Sequence, residues 1–355
     1  MNKVGVLYGS IFLLTGYVLL EQFFDPYWAG FDLVVQRHQD MLNHTAKFYN
    51  PWQYRIFSTY LVEAFLNIWR TLPFQEMATP NFLGEKGIQL STHLPFILVK
   101  AGLLFLFFRL SVSYLDQMGI HSLRLKILGI WLLSFYLYPA QFSADLSLDV
   151  YIEAIFYLLA MISLLNNSWA WIPLITLFAA FNRESSGFIP LLILVFHFSP
   201  FSRQNLPGTF LGNIFTSITL KEKSIQTFVL SCIIYIGVFI GLRIYFGFPA
   251  PQTVYGNHSF LDFFSWNLMQ PTTYYQWIRS FTLLPFFALW FYPKWPTFLK
   301  MGFWVMVPLW LVIHFGHGIV RETRLFLVPT SLFLIPGILW GISSSKYPEP
   351  ANPAS

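Results

Sequence analysis

The sequence predicts an all-α protein: a polytopic membrane helix bundle of about ten spans, with interfacial helices in a long first outer loop. Apolar residues make up 55% of the 355 positions and charged residues only 10%, against about 25% charged in soluble domains. Mean hydropathy is +0.55. Apolar runs of spanning length recur along the whole chain.

The first run, 4–24, follows Lys3 and invites comparison with a signal peptide. It is too long for the apolar core of one and no small-x-small cleavage site follows, so it is expected to be the first span. Residues 25–92 then form an outer loop. Within it, 54–69 is aromatic and amphipathic, is interrupted by Glu63 and Asn67, and suits a helix lying in the interface. Further spans are expected at 93–112, 124–141, 148–165, 168–182, 184–200, 225–247, 274–293, 298–316 and 324–343. Asn166-Asn167 and 182–187 mark turns in the tight trio between 148 and 200, one member of which also suits a re-entrant piece. Residues 1–345 form a single transmembrane domain, and 346–355 a short cytoplasmic tail.

Charge sets the orientation. With a cytoplasmic N-terminus, the inner side collects Lys3, Arg109, Arg124, Lys126, Arg203, Lys221, Lys223, Lys294, Lys300 and Lys346 against Asp116, Glu222 and Glu349, a net of +7. The remaining 11 basic and 13 acidic residues fall in outer loops or spans. The expectation is a multi-pass protein of the inner (plasma) membrane with both termini cytoplasmic. No basic, aromatic-interleaved segment suits nucleic acid. The single Cys232 lies in an apolar run and excludes a disulfide framework or thiolate metal site.

Two strings stand out against this charge-poor background: Asn182-Arg183-Glu184-Ser185 and Arg321-Glu322-Thr323-Arg324. Each opens an apolar run and each is followed by a proline, Pro190 or Pro329. Ion pairs beside hydrocarbon are costly unless buried and partnered, so the two are expected to line one outward cavity, the alternative being pins for helix ends. Asp145, Asp149 and Glu153 recur every four residues and share a helix face. The helix dipole accounts for the first two; Glu153 lies deeper and suits contact with substrate hydroxyls. Arg55 follows a Pro-Trp corner and suits a bidentate phosphate clamp or a lipid-headgroup anchor. In the first outer loop Asp25, Asp32 and Asp40, with Arg37, His38, His44 and Lys47, supply candidate general bases. His314 and His317, three apart, have no matching pair for zinc. No metal site is expected; a divalent ion is compatible with the acids but not favoured, and the cofactor is left open.

The layout resembles the C-type membrane glycosyltransferases, in a branch of uncharacterised bacterial multi-span proteins. The resemblance rests on the first span with its acidic outer loop, Pro51-Trp52-Gln53-Tyr54-Arg55, Asn182-Arg183-Glu184-Ser185 and Arg321-Glu322-Thr323-Arg324. The chain departs from the family in lacking an adjacent Asp-Asp or Asp-Glu pair. The resemblance implies a polyprenyl-phosphate-linked sugar donor on the outer face and an outer-loop Asp as base: Asp32 or Asp40, with Asp25 in reserve. It also implies Arg55, Arg183 or Arg321 on the departing phosphate. The partners expected are this lipid-linked donor and membrane lipids. A transporter or flippase of a lipid-linked or polar solute is the competing class, and a lipid-linked glycan polymerase or ligase shares the same physics.

Overall fold

Every regular element of the computed structural model is helical; it describes residues 3–24, 31–43, 54–73, 89–140, 148–199, 223–247 and 259–345. The chain opens with α1 (Lys3–Phe24) and the shorter α2 (Phe31–Leu42) and α3 (Ile56–Trp69). It continues through α4 (Leu90–Gln117), α5 (Leu123–Ala140) and α6 (Leu148–Leu165). The short α7 (Trp171–Ala180) and α8 (Ile189–Phe198) flank a 3-10 turn at Glu184–Phe188. After α9 (Lys223–Phe246) come α10 (Phe260–Met269), α11 (Pro271–Phe281), α12 (Leu284–Phe291) and α13 (Thr297–His317). The last segment passes from a 3-10 turn (Thr323–Phe326) through Leu327–Pro329 and a π-helical stretch (Thr330–Leu334) into α14 (Ile335–Ser345).

By length and composition, α1, α4, α5, α6, α9, α13 and Thr323–Ser344 are long and apolar enough to cross a membrane. The segments expected to span at 168–182, 184–200 and 274–293 form shorter pieces. α7 has 10 residues, about 15 Å of helix at 1.5 Å per residue, and α8 with its 3-10 turn forms one helical piece over Glu184–Phe198, both shorter than a hydrocarbon core of about 30 Å. The third run is broken where Thr282 takes a φ of 49° between α11 and α12. A hydropathy window counts apolar residues and does not register a break made by one backbone angle.

The helix ends follow from local chemistry. α4 stops at Gly119, φ 88°, where Ile120 N–H donates to Leu115 O and Gly119 N–H to Asp116 O. This is a Schellman cap, with the buried Ile120 as its apolar plug. α6 ends the same way on Asn167, φ 56°, with Ser168 N–H to Ser163 O and Asn167 N–H to Leu164 O. Asn tolerates that left-handed conformation better than other non-glycine residues.

Two prolines in the last segment leave carbonyls without their helical donors, and aromatic side chains take over. Pro336 cannot donate to Leu332 O, which accepts from the buried Tyr114 hydroxyl at 3.0 Å. Pro329 cannot donate to Leu325 O, which accepts from Trp310 Nε1 at 2.9 Å. The first bond satisfies a buried carbonyl and the second a half-buried one, each of which would otherwise carry a desolvation cost. Phe107, Leu158, Leu192, Trp310 and Leu332 are completely buried in the core between these helices.

The same packing defines two ends of the bundle. α7 runs back along α6, so that Asn182, just beyond α7, donates from Nδ2 to Asp149 O in the first turn of α6, 2.8 Å away. Phe57 N–H, an orphan donor in the first turn of α3, bonds Phe181 O at 3.0 Å, tying α3 to the same corner. At the opposite end, Phe196 of α8 meets Phe298 of α13, and His197 bonds Ser224 at the start of α9. Trp295, between α12 and α13, lies against Gly337 so tightly that a Cβ there would sit on its indole.

Candidate functional site

Side chains from α6, α9 and the segments flanking α3 and α7 converge at the Asn182 end of the bundle. Arg183, in extended backbone between α7 and the 3-10 turn, is buried. Its Nη1 lies 2.9 Å from Glu153 Oε2, and its Nε 3.7 Å from Asp149 Oδ2. Arg55, just before α3, donates from Nη1 to Asp149 Oδ2 at 2.7 Å and places Nε 4.0 Å from Glu184 Oε2. Ser185 Oγ donates to Glu153, and Tyr157, one turn deeper on α6, donates to Ser185 O. Asp149, Glu153 and Tyr157 thus lie along one helix face, four residues apart.

The partners correct the expected pairing. Arg183 does not pair with its neighbour Glu184, because consecutive residues about an extended backbone point to opposite sides. Glu184 instead faces Arg55 and, at 3.9 Å, Arg243 Nη2 of α9. Likewise Glu322 accepts from Arg324, at 2.8 Å from Nη2, in place of the adjacent Arg321. Asp149 is more than a helix-dipole acid: it is buried and held by two guanidiniums. Asn182 Oδ1 and Glu184 Oε1 are buried atoms that accept no hydrogen bond among the described residues.

The second string approaches the first through Trp310. This indole packs on Tyr157 and Phe188, centroids 5.7 and 5.8 Å away, stacks on buried His314 at 4.9 Å, and donates to Leu325 O. The string is fixed from its other side: Tyr136 donates to Thr323 O, Ser280 and Thr323 share a hydrogen bond of 2.6 Å, and Trp277 donates to Val320 O. Asn267 of α10 donates to Phe315 O and Gly318 O, clamping the end of α13. Arg321 is half-buried and has no ion pair among the described residues; His317 is exposed and meets Phe260 edge-on.

The outer-loop candidates lie elsewhere or outside the described residues. Asp25 and Asp145 fall outside them, and Asp32 lies in α2 with its side chain outside them. Asp40, half-buried on α2, joins none of the ion pairs among the described residues. His38 is buried against α3 and bonds Glu63 at 2.9 Å; Glu63 also accepts from Arg70 at 2.7 Å. Burial raises the Glu63 carboxyl's pKa, but the hydrogen bonds from His38 and Arg70 outweigh it and hold the group below its ordinary value. A cavity of about 300 Å³ lies beside this cluster, between α2, α3 and α4, lined by His38, Leu42, Leu66, Trp69, Arg70 and Phe96 among others; none of the Arg183 cluster lines it.

Two further cations, Arg243 and Lys100, lie inside apolar helices and were not singled out by the sequence. Arg243 is the one charge inside the apolar run 225–247, a signal that a lone cation in a span carries. Lys100, completely buried in α4, lies 5.4 Å from the Tyr151 ring centroid; in sequence it shares the apolar run 93–112 with Arg109. Among the described residues, no group of three or more His, Cys, Asp or Glu side chains is placed to hold a metal ion. No family model, curated protein or solved structure matches the chain.

Proposed function

We propose that this protein is an integral-membrane glycosyltransferase-like enzyme that uses a polyprenyl-phosphate-linked sugar at one face of the membrane. The observation that carries the reading is the gathering of Arg55, Arg183, Asp149, Glu153 and Glu184 at one end of an apolar bundle, with Glu184 still 26% exposed. Buried guanidiniums beside an open carboxylate suit a ligand that brings both a phosphate and hydroxyls. All members lie at the same end of the bundle, Arg55, Asp149 and Glu153 at the N-terminal ends of their helices and Arg183 beyond the C-terminal end of α7, which favours one-sided chemistry over a solute path reached from both sides.

In this reading the bundle crosses ten times, α7, α8 and the α11–α12 pair completing the count, with both termini cytoplasmic and the cluster facing outward. An acidic residue of the first outer segment, Asp25, Asp32 or Asp40, takes the proton of the acceptor hydroxyl. The acceptor oxygen bonds the anomeric carbon as the bond from that carbon to the phosphate oxygen breaks, and the electron pair leaves with the polyprenyl phosphate. The guanidinium cluster stabilises the departing charge. The purified protein in proteoliposomes, supplied with polyprenyl-phosphate sugars and a lipid acceptor, is expected to transfer sugar, and Arg55→Gln to lose about 10²–10³-fold in rate. Absence of transfer from every donor tried, or an Arg55→Gln rate equal to the parent's, overturns the reading.

A further inference from the structure

We propose that Arg55 and Arg243 are the two jaws of a phosphate site in which Glu184 is a resident anion, displaced when the ligand's phosphate enters. The inference deepens the transferase reading and rests on it only for the identity of the lipid that carries the phosphate.

Arg243 is held as a preformed donor. Its guanidinium lies over the Phe239 ring at 3.4 Å and the Tyr54 ring at 4.4 Å, and Nη1 bonds Phe239 O at 3.2 Å. Tyr54 is itself fixed by its hydroxyl on Gly247 O at 2.9 Å. Nη2 is left facing Glu184 Oε1 at 3.9 Å. On the other side Arg55 is anchored through Nη1 on Asp149 and turns Nε toward Glu184 Oε2 at 4.0 Å. Both contacts are about 1 Å longer than the 2.7–2.9 Å of a charge-assisted N–H···O bond.

The carboxylate therefore occupies a seat wider than itself. Its backbone cannot follow it closer to either jaw: Tyr235 donates to Glu184 O at 2.7 Å and packs against Gly187, where a Cβ would sit 2.6 Å from its ring. A phosphate presents more oxygens over a wider span and suits planar guanidinium donors on both sides. Charge gives the displacement its direction. With Asp149 on Arg55 and Glu184 between the jaws, the two guanidiniums are already neutralised, so a further anion is accommodated by taking the place of Glu184. The Arg55, Arg243 and Glu184 side chains are 12%, 15% and 26% exposed, but Arg55 Nε and Glu184 Oε1 are themselves buried, so the phosphate enters from the side of Glu184 Oε2 and Arg243. Arg183 and Arg324 have carboxylates of their own in Glu153 and Glu322, although Arg183 Nε and Nη1 make no hydrogen bond among the described residues.

The test is direct binding to the full-length protein in nanodiscs, with a polyprenyl monophosphate, inorganic phosphate and phosphatidylglycerol as three separate probes. Arg243→Gln is expected to weaken phosphate binding at least about tenfold, and Glu184→Gln to tighten it about tenfold, the lower end of coupling between close charge pairs. Opposite shifts in two variants cannot both come from misfolding. Arg243→Lys, which keeps charge but loses the planar fork, is expected between parent and Arg243→Gln. Tighter binding of the polyprenyl monophosphate than of inorganic phosphate upholds the site with a lipid headgroup as ligand, and equal binding upholds it with free phosphate. Weaker or unchanged binding in Glu184→Gln, unchanged binding in Arg243→Gln, or binding of phosphatidylglycerol alone overturns it. Since no sugar is involved, shifts as expected without any sugar transfer defeat only the transferase reading. Transfer with unshifted phosphate binding defeats only the displacement.

Discussion

Arg183 reaches away from the glutamate beside it in sequence and pairs with Glu153, Nη1 to Oε2 at 2.9 Å, on the neighbouring helix. Both side chains are buried, so removing Glu153 leaves Arg183 with only the longer contact to Asp149 at 3.7 Å, already shared with Arg55. Glu153→Gln is expected to destabilise the protein by about 3–5 kcal/mol, measured by denaturant titration in detergent. Asp116→Asn, on the half-exposed Asp116–Lys126 pair, is expected to cost less than about 1 kcal/mol. A double-mutant cycle on Arg183 and Glu153 that gives no more coupling than one on Arg183 and Glu184 contradicts this pairing.

Trp310 and Pro329 make a matched pair. Trp310→Phe removes the indole donor from Leu325 O and is expected to cost about 0.5–1.5 kcal/mol, the net worth of a hydrogen bond to a half-buried carbonyl. Pro329→Ala restores a backbone N–H four residues beyond that carbonyl. In the Pro329→Ala background the cost of Trp310→Phe is expected to fall by about 1 kcal/mol; equal cost in both backgrounds rules out the exchange of donors.

Gly187 has no room for a side chain, since Tyr235 covers it. Gly187→Ala is expected to displace that ring, break its bond to Glu184 O and destabilise by about 1–3 kcal/mol. Adding Tyr235→Ala is expected to recover part of the loss in the same unfolding assay, because the clash then disappears.

Glu63 carries a pH signature. Its carboxyl lies below its ordinary value in the folded chain, so its contribution is fully present above the unfolded pKa of about 4.3 and is lost as pH falls through the lowered folded value. The stability difference between parent and Glu63→Gln is therefore expected to hold at neutral pH and shrink only in acid, below about pH 4.3. A difference that instead grows on acidification reverses the assigned sign.

The helical, span-rich fold was legible because composition and uninterrupted apolar runs report it directly, and Asn166-Asn167 marked its turn correctly by conformational preference. The break at Thr282 was not, since it depends on a single backbone angle, nor was the shortness of α7, whose ends lie inside a continuous apolar run. Of the site, Asp149 and Glu153 were legible as one face through their spacing. The partners of Arg183 and Glu184 were hidden because adjacency in sequence suggests a pair that an extended backbone separates. Arg243 was legible only as a lone cation in a span; its partners Tyr54 and Glu184 lie far away along the chain.

The order of the elements also bears on how the chain enters a bilayer. α6, α7 and the 3-10 turn are consecutive, so Asp149, Glu153 and Arg183 emerge within one stretch of synthesis. A lone arginine or aspartate at the centre of an inserting helix costs about 2.5–3.5 kcal/mol. The α6–α7 hairpin presents its cation and its acids together, and Arg183 can be neutralised at insertion without waiting for α9. Arg243 has no acid within its own helix and meets Glu184 only when α9 docks, which makes the arrival of α9 the step that closes the charged end of the bundle.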